Sequence, residues 1–190
     1  MREVTEDYQE IFSVDLQKDK KKAVLLNVIA GVIAVVMIII AHLFVPITTF
    51  FTWENGFGAV MLKYVLVLLA MIVYVVLHEM THGVVMKCFT PEKVRFGFTG
   101  LYAYAGSDAY FKKWPYITIA LAPVVVWGII LAVLNLTLGV SWFWFVYFVQ
   151  IMNISGAAGD LYATCRMLGQ PSDVLVQDSG TRFIVYKQNK

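Results

Sequence analysis

The chain has 190 residues, of which 59% are hydrophobic and 15% charged, with a mean hydropathy of +0.71. A soluble domain of this size would expose far too much of that apolar content, so the bilayer is the expected solvent. The composition and the near balance of 15 basic against 13 acidic residues exclude a disordered chain, a collagen-like chain and a nucleic-acid-binding module.

Residues 1–22 mix acidic and basic groups and read as a cytoplasmic N-terminal segment. They do not read as a signal peptide, whose short basic region would lead directly into an apolar run. Four apolar stretches follow, Ala23–Ile47, Ala59–Phe89, Pro115–Val140 and Trp142–Leu168. Each meets the roughly 20 residues that a helix needs to cross about 30 Å of hydrocarbon. None has the strict alternation of a barrel strand, so all four are predicted helices. Lys18 and Lys20 to Lys22 precede the first. Lys87, Lys93, Arg95, Lys112 and Lys113 lie between the second and third, and Arg166, Arg182, Lys187 and Lys190 follow the fourth. The two remaining connections carry no lysine or arginine, which places both termini on the cytoplasmic side. Lys63, early in the second span, is expected to snorkel to the far interface, and Trp53, Trp114, Trp142 and Trp144 sit near span ends, where interfacial aromatics collect.

Between the second and third spans, Val94–Phe111 partly alternates aromatic or branched residues with small ones and carries Gly97, Gly100 and Gly106. That pattern predicts a short hairpin or extended loop. Asp173–Lys187 is a second extended candidate. The fold expected is an all-α membrane protein. Its four transmembrane helices span residues 23–168, a short cytoplasmic β-hairpin or extended loop joins the second and third, and a cytoplasmic extended tail occupies residues 169–190. Cys88 and Cys165 are too few for a disulfide framework, stand in no CxxC spacing, and read as small buried or interfacial side chains.

The chemistry lies in His78-Glu79-Met80-Thr81-His82. Positions i and i+4 differ by about 40° around a helix, so both imidazoles can chelate one ion, while Glu79, offset by about 100°, can hold a water at the flank. This reads as two zinc ligands and a general base. A charged residue deep in a span costs about 2.5–3.5 kcal/mol on insertion scales, which a purely structural apolar helix has no reason to carry. A catalytic zinc usually has a third protein ligand. Asp160 is the first choice, because it precedes the cytoplasmic end of its span by about as many residues as His82 does in its own. The small residues Gly156 to Gly159 are expected to let the two helices approach. Asp108 and Asp178 are the alternatives. Gln150 is expected to make an interhelical hydrogen bond. Asn153, two turns before Asp160, reads either as another such bond or as a donor to substrate or oxyanion. His42 reads as structural. Asp178-Ser179-Gly180 matches the aspartic-protease triplet, but a second triplet is absent and the segment reads as a turn.

On HEMTH in one span, Gly159-Asp160-Leu161 in a later one and Asn153 upstream, the chain resembles the site-2 protease family of intramembrane zinc metalloproteases. It resembles more closely the small bacterial membrane family of putative zincin peptidases. The resemblance covers roughly Ala59 to Leu168 and implies that His78, His82 and Asp160 bind Zn2+, that Glu79 is the catalytic base, and that the protein lies in the bacterial cytoplasmic membrane. The function expected is zinc-dependent intramembrane hydrolysis of a peptide bond in a membrane-associated protein near the cytoplasmic face. The unwound substrate would pair along a strand edge around Val94 to Tyr104. The partners expected are membrane lipid and a membrane-protein or peptide substrate, with no nucleic acid. The competing functions are a zinc-binding membrane protein with a non-proteolytic binding or chaperone role, an intramembrane aspartyl protease using Asp160, and a purely structural or partner-binding membrane protein.

Overall fold

The computed structural model describes residues 7–52, 56–100 and 102–189. Trp53, Lys190, Leu101 of the predicted hairpin and the first six residues of the N-terminal segment lie outside them. Helix predominates. In chain order the elements are β1 (Tyr8–Asp15), α1 (Lys20–Phe44), a 3-10 turn (Ile47–Phe51), α2 (Gly56–Phe89), β2 (Val94–Phe98), β3 (Ala103–Ser107), β4 (Tyr110–Lys112), α3 (Lys113–Thr137), α4 (Val140–Gly156), α5 (Ala158–Leu168), β5 (Leu175–Asp178) and β6 (Arg182–Gln188).

Three helices, α1, α2 and α3, are long and apolar enough to cross a membrane. α1 exposes Val28, Val32, Val35 and Ile39, side chains that only a lipid environment would cover without cost. The helix stops at Phe44 rather than Ile47, because Pro46 disfavours helical backbone at the residue before it. Just beyond its end, the Trp144 indole N–H reaches Val45 O at 3.2 Å and Pro46 O at 3.3 Å. His42 is structural, as expected: its Nδ1 accepts the Ile47 N–H at 3.0 Å. α3 ends at Thr137, since Gly139 adopts a φ of 76° that only glycine takes readily.

The predicted fourth span is not one helix. α4 and α5 are separated by Ala157 and bent by 40°, so they make a fourth crossing only if the bent pair is counted as one span. An added Cβ would meet nothing within 4 Å at Gly156 and only Leu16 Cδ1 at 4.0 Å at Gly159. The two glycines therefore flank a break in the helix and are not themselves points of tight contact, while Ala157 and Ala158 between them are buried.

By backbone contacts the chain forms two compact units. The first comprises Met1–Leu26, Glu79–Ala122 and Gly159–Lys190. Here an all-α expectation fails, because a four-stranded antiparallel sheet of order β1-β6-β5-β4 is present beside the two-stranded hairpin β2-β3. The N-terminal segment contributes β1, whose Val14 pairs with Phe183. The extended tail supplies β5 and β6 with Val176 opposite Val185, and β4 sets Phe111 opposite Val176. Alternation along the strands directs Val14, Phe111, Val176 and Val185 into one core with Met86, Ile119 and Met167, as a one-sided sheet requires. Asp19 caps α1 through the Lys22 N–H at 3.1 Å, and its ion pair with Lys22 at 2.8 Å holds its carboxyl below the usual range. The buried Lys113 ammonium donates to Leu168 O and Gln170 O at the end of α5, satisfying carbonyls a helix terminus leaves open.

The second unit, Asn27–His78 and Pro123–Ala158, packs two apolar clusters. One gathers Ala41, Phe50, Val67 and Trp144, the other Tyr74, Leu131, Val146 and Val149. Trp144 is thus a core residue rather than an interfacial one, whereas Trp114 and Trp142 are exposed. Lys63 turns back to the connection after α1, its ammonium 4.5 Å from the centre of the Phe50 ring and 3.5 Å from Phe50 O. That is the direction expected of a snorkelling side chain.

Candidate metal centre

α2 runs unbroken through HEMTH, so Tyr74, His78 and His82 recur at one-turn intervals on one face. Both histidines are buried, and Glu79 is half-buried beside them. Asp160 stands in the first turn of α5, where the helix dipole favours a carboxylate. Within the first unit, His82 Nε2 lies 3.5 Å from Asp160 Oδ1. One ligand atom from each of His78, His82 and Asp160 lies within 4.8 Å of the others. Among the described residues this is the group of histidine, cysteine and acidic side chains placed to share an ion.

The other nitrogen of each imidazole is engaged. His82 Nδ1 lies 2.9 Å from the carbonyl oxygen of Ile119. A carbonyl can only accept, so Nδ1 carries a proton, and Nε2 is the ring nitrogen that faces Asp160. That carbonyl is open because the residue four positions on is Pro123, inside α3, which has no N–H to complete the helical bond. His78 Nδ1 lies 2.8 Å from the Tyr74 hydroxyl, which itself donates to Asn153 Oδ1 at 2.6 Å. The single phenolic proton is thereby used, so His78 Nδ1–H donates to the Tyr74 oxygen, and in the neutral imidazole the lone pair is on Nε2.

The alternatives for a third ligand have other partners. Asp108 is exposed and paired with Arg95, which raises the guanidinium pKa. Asp178 accepts the Tyr116 hydroxyl at 2.8 Å and the Gly180 N–H at 2.7 Å, and its burial pushes the carboxyl above the usual range. The Asp178-Ser179-Gly180 triplet is the turn between β5 and β6, with Gly180 at a φ of 97°. Asn153 is fully buried, and its amide also donates to Val124 O at 3.2 Å. The structure thus places it against Tyr74 rather than in an open substrate position. Gln150 Oε1 is buried with no hydrogen-bond partner among the described residues, so the interhelical bond expected of it is absent at that atom. Both cysteines are exposed and free. Tyr74 and Pro123 were missed in the sequence, although Tyr74 is one turn before His78 and Pro123 interrupts a predicted span.

Two imidazole nitrogens and a carboxylate oxygen suit zinc and leave a fourth position open. Ligand atoms about 2.0–2.1 Å from a tetrahedral ion lie roughly 3.4 Å apart, close to the His82–Asp160 separation of 3.5 Å. The residues present fit the ion. No curated protein and no solved structure matches the chain. Residues 71–175, more than half of the chain and all of the site just described, match the family described as "Putative zincin peptidase", a description that implies zinc and points to a metallopeptidase. The chain belongs to that zincin peptidase family.

Proposed function

We propose that this protein is a multi-pass membrane zinc endopeptidase of the site-2 protease type, cutting a membrane-associated protein near the cytoplasmic face. The observation that carries the reading is the convergence of His78, His82 and Asp160, with both Nδ1 atoms engaged elsewhere. His78, His82 and Asp160 would hold the ion. Bound there, zinc would supply Lewis acidity toward water and the scissile carbonyl. Glu79, one residue from His78 and offset around the helix, would take the proton of the attacking water and return it to the departing amine.

The topology proposed is four crossings, the bent pair α4–α5 counted as one, with both termini cytoplasmic. β1 from the N-terminal segment, β4 from the connection before α3 and β5–β6 from the tail hydrogen-bond in one sheet. That arrangement supports placing all three segments on one side of the membrane, the side to which their lysines and arginines assign them. Substrate would unwind and pair along β2. The Phe96 ring occupies the space over Gly83, where an added Cβ would lie 2.3 Å from it, so this strand runs beside the residue that follows His82.

The test is metal content of the detergent-purified protein. Near one zinc per chain is expected in wild type and in Glu79→Gln, with loss or weakening in His78→Ala and Asp160→Ala. Peptide hydrolysis should vanish in Glu79→Gln. A function that survives Glu79→Gln would assign the chain to a zinc-binding, non-proteolytic role. Failure to bind zinc even after reloading would remove the protease reading.

A further inference from the structure

We infer that Asn153 is a positioning residue for the metal centre: acting through Tyr74, it sets the direction of the hydrogen bond that fixes the His78 tautomer. This rests on the zinc reading above and assigns Asn153 a role other than contact with substrate or oxyanion.

The argument is a proton count. Tyr74 has one hydroxyl proton, and both Asn153 Oδ1 at 2.6 Å and His78 Nδ1 at 2.8 Å stand where they could accept it. The amide of Asn153 is oriented by its own donation to Val124 O at 3.2 Å, so Oδ1, which can only accept, faces the phenol. Asn153 therefore takes the Tyr74 proton. The phenolic oxygen is left as the acceptor for His78 Nδ1–H, and the His78 lone pair falls on Nε2. Without Asn153, the phenol is free to donate to Nδ1 instead. That would move the imidazole proton to Nε2, the atom needed for the ion. Outer partners of this kind set ligand orientation and basicity.

The surroundings hold the relay in place. Asn153 is fully buried and Tyr74 is 4% exposed, so water does not compete for these bonds. Trp127 stands perpendicular to the Tyr74 ring at 6.3 Å. Gly128, next along α3, lies against the amide: a Cβ there would be 3.4 Å from Asn153 Nδ2. All these residues belong to the second unit.

The experiment uses the full-length, detergent-purified protein, stripped with chelator and reloaded with Zn2+ alone. Affinity is read by chelator competition, and imidazole 15N shifts report the tautomer of His78. Wild type should bind zinc and carry the His78 proton on Nδ1. Asn153→Leu should weaken zinc about 10- to 100-fold and move the proton toward Nε2. In a Tyr74→Phe background, Asn153→Leu should cause little further loss, because the group through which it acts is gone. Additive losses, or an unchanged affinity in Asn153→Leu, would overturn the relay while leaving the metal site standing. Should the variants fail to fold, a wild-type His78 protonated at Nε2 before reloading overturns it without them. A wild-type chain that binds no zinc removes the zinc reading itself, and the inference with it.

Discussion

The carbonyl oxygen of Ile119 accepts the Nδ1–H of His82 at 2.9 Å, across 37 residues of sequence. It is available because Pro123, four residues on in α3, cannot donate to it. A proline inside a helix costs about 3 kcal/mol relative to alanine. Here the open carbonyl orients an imidazole of the candidate metal centre.

Pro123→Ala therefore has two effects of opposite sign. The new N–H restores the bond to Ile119 O and raises the stability of the zinc-free protein. The same N–H competes with His82 and weakens zinc several-fold, toward the 10-fold end of outer-partner effects. Thermal melts of the chelated protein and chelator competition check the two separately. An affinity equal to wild type would show that His82 needs no such anchor.

Asp178 gives a pH dependence outside the membrane-spanning helices. Burial holds its carboxyl above the ordinary value of 3.8, outweighing the Gly180 N–H and Tyr116 hydroxyl that favour the ionised form. The folded state thus binds this proton more tightly than the unfolded chain does. The stability so contributed is complete below 3.8 and is lost as pH rises through the folded pKa. Asp178→Asn stays neutral throughout. In chelated protein, the melting temperature of the variant minus that of wild type should rise with pH, and a constant difference would refute the assignment.

Much of the fold can be read from local pattern, because a membrane helix announces itself by an uninterrupted apolar run and needs no distant partner to satisfy its backbone. HEMTH is local in the same way, since ligands at i and i+4 share a face whatever surrounds them. Matching depths led to Asp160 across two spans. β1 was not legible, because Tyr8–Asp15 becomes a strand by pairing with β6 at the other end of the chain, and its own composition is polar. The break at Ala157 was hidden by the same small residues that suggest helix contact. Pro123 is visible in the sequence, but that its freed carbonyl meets His82 depends on how α2 and α3 pack.

The hairpin is held by glycines with different tolerances. A Cβ on Gly106 would lie 2.2 Å from the Ser179 carbonyl carbon and 2.6 Å from Gly180 N, backbone that cannot rotate away. The atoms nearest a Cβ on Gly83 would be the ring of Phe96 and a methyl of Val94, side chains rather than backbone, and Phe96 is exposed. Gly106→Ala should cost about 1–3 kcal/mol. Gly83→Ala should be nearly neutral, its clash offset by the roughly 1 kcal/mol that alanine gains in a helix. Denaturation of the two variants side by side tests this, and equal losses would mean that the packing against the β5–β6 turn does not hold the hairpin.

The pairing of substrate along β2 can be separated from the integrity of the hairpin. Thr99 N donates to Tyr102 O at 2.9 Å, and bonded and non-bonded pairs alternate in an antiparallel ladder. With Gly97 opposite Tyr104 and Arg95 opposite Gly106, residues 95 and 97 bond to β3. The amides of Phe96 and Phe98 then point to the outer edge, which has no strand partner among the described residues. Prolines at Phe96 and Phe98 would remove those outward donors and leave the hairpin bonds intact, whereas a proline at Gly97 would break one. Phe98 is the cleaner site, because Phe96 also covers Gly83. Zinc content should be unchanged in Phe98→Pro, while turnover of a substrate cut by wild type but not by Glu79→Gln should fall about 10-fold, since one lost backbone bond of about 1 kcal/mol is joined by loss of strand register. Equal loss of zinc and turnover would mean misfolding. Full turnover in both proline variants would rule out β2 as the edge on which substrate is held.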